Sequence, residues 1–224
     1  MKKIITLITI ITSFSAHSQY IEPTRFQVEA NVGYAFTLGV FNDTNGGLVD
    51  SAISNNGLSG VLTEVGAYYR IGFDSRHLIG LNMNYLGGSR VGKSVVTGEN
   101  TFFHKYSKSS LLFIGPSYRK EYSNSIGTRF GALSISPGFM FLNTDISGNE
   151  SAKISGVGYG INFVVSTGYR IYKDLQITTN LGLDYSYFTE LKDNLPLNTE
   201  LYMGNTKDSH LFRVKVAVGL RYKL

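Results

Sequence analysis

The sequence contains no cysteine among its 224 residues, which excludes disulfides, thiol nucleophiles and thiolate metal sites. Tryptophan is also absent, and proline occurs only four times. Charged residues make up 17%, well below the usual ~25%. Beyond Lys2 and Lys3 there are 19 basic and 16 acidic side chains. So small and scattered an excess excludes a nucleic-acid footprint. Beyond residue 18 no apolar run approaches the ~20 residues that a transmembrane helix requires. No cluster of histidines and acids has ligand spacing, so neither a metal nor a cofactor is expected.

Glycine and aromatics are plentiful instead. There are 25 glycines, 15 tyrosines and 14 phenylalanines, and a chain so aromatic does not avoid a core. Residues 1–18 have the pattern of a secretory signal peptide. Lys2 and Lys3 are followed by the apolar run Ile4–Phe14, and Ala16-His17-Ser18 places small residues where a signal peptidase reads. Cleavage is expected before Gln19, leaving one domain over 19–224. An uncleaved anchor is the alternative, but the run is short for a span.

The mature chain alternates with period two. Phe212, Val214, Val216, Val218, Leu220, Tyr222 and Leu224 share one parity; Arg213, Lys215, Ala217, Gly219, Arg221 and Lys223 take the other. Successive side chains of a strand face opposite ways, so one face is greasy and the other charged or small. Eight such segments are expected, at about 25–38, 59–73, 78–89, 105–121, 128–142, 156–171, 175–188 and 210–224. Most exceed the ~9–11 residues that a tilted strand needs to cross hydrocarbon. Their links alternate between short (Asp74–His77, Tyr122–Gly127, Tyr172–Asp174) and long (39–58, 90–104, 143–155, 189–209). That pattern predicts an all-β, eight-stranded, antiparallel transmembrane barrel of up-and-down meander topology. The long links face outward from the cell and both termini lie on the periplasmic side. A soluble sandwich alternates too, but would not enrich the greasy parity in aromatics at both strand ends.

Four arginines, Arg70, Arg119, Arg170 and Arg221, recur at intervals of 49, 51 and 51 residues. Each adjoins a tyrosine of opposite parity: Tyr69, Tyr118, Tyr169 and Tyr222. These tyrosines are expected to form a girdle at the periplasmic interface, with rings in lipid and hydroxyls among headgroups. The arginines must face the lumen, because a cation facing lipid costs a few kcal/mol near mid-depth. Parity adds Glu29, Glu64, Glu121, Asp184, Arg213 and Lys215, giving a lumen charge network of ten residues. An eight-stranded lumen is just wide enough for side chains to fill, and charges there must pair or keep water.

The segment LFIGPSYRKEY at 112–122 and the closing VAVGLRYKL, together with the leader ending near Gln19, resemble the outer-membrane β-barrel domain family that includes the PorT-like proteins. The resemblance implies residence in a Gram-negative-type outer membrane and implies no substrate. Leu224 departs from the terminal aromatic usual in barrel assembly signals, so Tyr222 or Phe212 is expected to serve.

No catalytic residues are assigned. Ser107 and Ser109 lie near His104, but the serines have inward parity, His104 points outward and no acid orients it. His77 falls in a turn and His210 at the outer rim. Asp43-Thr44-Asn45-Gly46 is explained by turn chemistry rather than calcium binding. Pro116 and Pro137 each remove a ladder donor, so bulges are expected there.

The expectation is therefore a non-enzymatic, porin-like cell-envelope barrel that acts structurally or through its long loops. A narrow channel for small solutes is the alternative, and a lipid-modifying enzyme a remote one. No wall-binding module is expected after the last strand. Expected partners are outer-membrane lipid, the outer-membrane assembly machinery and an envelope or extracellular protein.

Overall fold

A computed structural model describes residues 25–42, 59–72, 76–91, 95–97, 100–102, 104–123, 128–148, 151–193 and 209–224. The leader, the Asp43–Gly46 turn and most of the links 39–58 and 189–209 lie outside them. The strands are β1 (Phe26–Asn42), β2 (Gly60–Arg70), β3 (His77–Val91), β4 (Val95–Thr97), β5 (Asn100–Phe102), β6 (His104–Ser123), β7 (Arg129–Gly148), β8 (Ser151–Tyr172), β9 (Leu175–Asp193) and β10 (Ser209–Lys223). Eight of them close into a barrel in the order β1-β10-β9-β8-β7-β6-β3-β2, every pair antiparallel. The short β4–β5 pair is a separate hairpin in the link between β3 and β6.

Closure follows from the polar backbone. In hydrocarbon no water can satisfy an open strand edge, so the first strand must pair with the last. β1 and β10 do so from Gln27↔Lys223 to Asn42↔Ser209. Beyond the first of these pairs the Leu224 amide still donates to the Phe26 carbonyl at 2.8 Å. The outward parity is apolar and open: Val32, Leu81, Val157, Leu181 and Val218 are each more than half exposed. A continuous belt of this kind would greatly exceed the few hundred Å² of apolar patch tolerated in water.

Wall height is uneven. β2 has 11 residues, whereas β6, β7, β8 and β9 have 20, 20, 22 and 19. At ~3.4 Å per residue and ~45° of tilt, eleven residues rise about 26 Å, close to the ~25 Å apolar band of such barrels. The β6–β9 side therefore stands well above the membrane. This corrects the expected long link at 143–155. β7 runs to Gly148 and β8 starts at Ser151, and the pairing continues to Ser147↔Ser151. Asn143, Asp145, Lys153 and Ser155 are polar because that stretch of sheet lies outside the lipid, not because it is a loop.

The expected bulges at the prolines are also corrected. Register shifts fall at Thr37/Gly39, His104/Tyr106, Val157/Gly158 and Arg170/Tyr172. None falls at Pro116 or Pro137. The β6–β7 register is the same on both sides of a lapse, at Ile114↔Phe139 and Tyr118↔Ile135, which sets Pro116 opposite Pro137. Pro116 keeps its pairing with Leu81, and Pro137 keeps its pairing with Ile161. The two missing N–H groups thus face each other and share one gap, which preserves both outer ladders. Inside the lumen Ser136 Oγ donates to Ser117 Oγ across this gap at 2.8 Å. Hydrogen exchange in micelles is expected to be faster over 114–118 and 135–139 than at matched depth on β8 and β9. Equal protection would show a continuous ladder.

Candidate functional site: the lumen

The lumen is layered. Its short-link third holds Glu29, whose carboxylate accepts from Arg119 at 2.6 Å and from Arg221 at 2.8 Å. Asn31 and Asn180 each donate to its other oxygen at 2.9 Å. Glu121, one rung lower, faces Lys223 at 2.9 Å, Arg221 at 3.5 Å and Arg70 at 4.0 Å. Gln27 donates to it at 3.2 Å. Two of the cations also lie on aromatic faces: Arg119 is 3.8 Å from the Tyr68 ring centroid and Arg221 is 3.9 Å from that of Phe130. A planar guanidinium is suited to stacking and to forked donation at once.

The middle tier centres on Lys215. Its ammonium contacts Glu64 at 2.5 Å and Asp184 at 3.3 Å, and Arg213 reaches Asp184 at 3.3 Å. Gly182, directly opposite Lys215, makes room for it: a Cβ there would run into the lysine methylenes. Above lies an apolar tier of Ala35, Leu62, Leu86, Leu111, Phe113, Met140, Leu142, Ile154, Phe188 and Leu211, all buried. Ser109 and Thr144 cap it with a 3.1 Å hydrogen bond.

The structure thus brings together Glu29, Glu64, Arg70, Arg119, Glu121, Asp184, Arg213, Lys215 and Arg221. It does not add Arg170, which is exposed at the rim. Its parity is still inward, opposite the buried Gln176, but it is the last residue of the regular β8–β9 register and stands at the open mouth rather than inside. Lys223, half-buried beside Glu121, joins the network without having been singled out. Tyr69, Tyr118, Tyr169 and Tyr222 all face outward, each roughly half exposed.

The apolar tier was not anticipated either. Its signal is the failure of alternation toward the long links, as in Leu111-Leu112-Phe113-Ile114 and Met140-Phe141-Leu142, where both parities are apolar because one faces lipid and the other the tier. Ser107 and Ser109 are buried in the wall, and the His104 side chain lies outside the described residues. His77 and His210 are each held by a tyrosine, Tyr118 and Tyr185, at 2.5 and 2.6 Å. A groove of about 330 Å³ on the wall is lined by Phe141, Leu142, Asn143, Ser155, Gly156, Val157 and Thr189. It holds hydroxyls and an amide but no nucleophile–base pair. Among the described residues no group of three metal-ligating side chains occurs.

No protein-family model matches the sequence, and no curated protein matches it. The fold does have solved counterparts. A major outer membrane protein from Thermus thermophilus superposes with a TM-score of 0.54 at 12% identity, covering 89% of this chain and 99% of that one. Neisserial surface protein A does so with a TM-score of 0.50 at 13% identity, covering 89% and 97%. This chain folds as a small outer-membrane, eight-stranded β-barrel. The attachment invasion locus protein Ail of Yersinia pestis is similar more loosely, with a TM-score of 0.45 at 11% identity over 88% and 99% of the two chains. Likeness at such identities concerns the fold alone.

Removing one partner of a buried pair strands the other, at about 3–5 kcal/mol. Glu29→Ala is expected to destabilise the barrel by that order in urea titrations in micelles. Arg170→Ala, at the exposed rim, should stay within about 0.5 kcal/mol.

Proposed function

We propose that this protein is a non-conducting outer-membrane barrel that acts by presenting its long-link end to an envelope or extracellular partner. The observation that carries the reading is the apolar tier stacked over the charged tiers. Ions crossing the lumen would have to lose water against Leu62, Leu111, Phe113 and Met140, which offer no replacement ligand. The fixed ion pairs below have no freedom to follow a permeating ion. Such a lumen stiffens the wall and leaves the outer rim as the working surface.

Export by a cleaved signal peptide, insertion by the outer-membrane assembly machinery and contact with outer-membrane lipid belong to this reading. So does kinship with the PorT-like barrels, supported by LFIGPSYRKEY and VAVGLRYKL. We read the protein as non-enzymatic, since Ser107 and Ser109, the hydroxyls near His104, are buried in the wall.

One observation favours a channel. The lumen carries Glu29, Glu64, Glu121 and Asp184 against Arg70, Arg119, Arg213, Lys215, Arg221 and Lys223, a surplus of two cations that would prefer anions. Planar-bilayer recording decides between the two readings. The closed reading expects no unitary current; steady anion-selective current would replace it with the channel.

Orientation is tested by proteolysis of intact cells. Cleavage is expected within 43–58, 92–103 and 194–208. The paired stretch 143–148 and the short link Asp74–His77 should be spared. Cuts confined to the short links would invert the barrel.

A further inference from the structure

The ends of the barrel differ in charge on their outward faces. Around the short-link lip the described cations not enclosed by the lumen are Arg25, Arg76, Lys120, Arg129, Lys173 and, at the mouth itself, Arg170, and the only described acid not enclosed there is Asp174. At the opposite lip the outward charges whose side chains are described, Lys108, Asp145 and Lys153, lie in one row across β6, β7 and β8. Among the described residues the surplus of exposed cations is therefore at the short-link end.

These cations are interleaved with the tyrosine girdle. Lys120 pairs across the strand with His77, whose ring nitrogen meets the Tyr118 hydroxyl, and the Lys120 ammonium lies 5.5 Å from the Tyr122 ring centroid. Arg129 pairs with Tyr169, the neighbour of Arg170. The Lys173 ammonium is 5.5 Å from the ring of Tyr172. Lysines folded back along an aromatic wall keep their methylenes in apolar surroundings and their charge at headgroup height. A soluble acidic protein would instead be met by cations pointing out of the barrel mouth into water.

We propose that this collar, running from β3 round to the β8–β9 turn, is a binding site for the phosphate-bearing headgroups of anionic phospholipid. The tyrosine rings take the upper acyl chain, and Lys120, Arg129 and Lys173 take the phosphate. The inference rests on the transmembrane fold and not on what the long links do. It therefore stands or falls separately from the closed-lumen reading.

The test is native mass spectrometry of the purified, delipidated barrel with equal amounts of phosphatidylglycerol and phosphatidylcholine. Each cation near an anionic surface contributes enough that a preference of about ten-fold for phosphatidylglycerol is expected. The triple variant Lys120→Gln/Arg129→Gln/Lys173→Gln should fall to near parity. The opposite-lip variant Lys108→Gln/Lys153→Gln should retain the preference. Circular dichroism establishes that each variant is folded, and Lys120→Gln alone should lower the preference if the triple does not fold. No preference in the wild type, full retention by the triple variant, or equal loss in both variants would overturn the proposal. Displacement of the lipid by excess inorganic phosphate would also overturn it, because a free-anion site would then be what the collar provides.

Discussion

Eight strands enclose too little space for each charge to keep its own hydration shell, so every cation and carboxylate inside must be solvated by another side chain. Glu29 is where that constraint is met most fully. Its two oxygens gather donors from β1, β6, β9 and β10, joining half of the wall through one side chain. Glu121 repeats the arrangement one rung lower with β1, β2 and β10. Replacing such a network by packed apolar groups is often neutral or stabilising, and the tier above shows that this sequence uses both solutions in one lumen. The charged tiers set a unique arrangement of strands; the apolar tier closes the path.

Much of this was legible in the residues. Period-two alternation located all eight barrel strands, and the greasy parity of β10 named its lipid face, because each face of a transmembrane strand meets a single solvent. The same logic placed Glu29, Glu64, Arg119, Asp184 and Lys215 on the inward face. It failed where the two-sided environment ends. Arg170 keeps the inward parity opposite Gln176 but is the last residue of the regular register, and no local feature of Tyr169-Arg170-Ile171-Tyr172 signals that the enclosed lumen ends there. Asn143–Ser155 looked like a loop because polar residues on both faces mean water on both sides, which a loop and a protruding sheet share. Partners within the lumen could not be read either, since Arg119 is 90 positions from Glu29 and only closure brings them together.

The proline pair shows why single-residue rules mislead in sheets. Each proline alone costs a ladder bond. Set opposite one another, they concentrate both losses between β6 and β7, and the ladders to β3 and β8 continue unbroken. The defect is local because the register, not the residue, decides where the missing donors point.

The uneven wall has a consequence for recognition. On the β6–β9 side the outward end of the barrel is hydrogen-bonded sheet as far as the pair Ser147↔Ser151. A molecule landing there meets backbone whose conformational entropy was already lost when the barrel folded, so association need not order it again. That lip is a preorganised surface, in which a substitution at Asp145 or Lys153 would change complementarity without changing the shape that carries it.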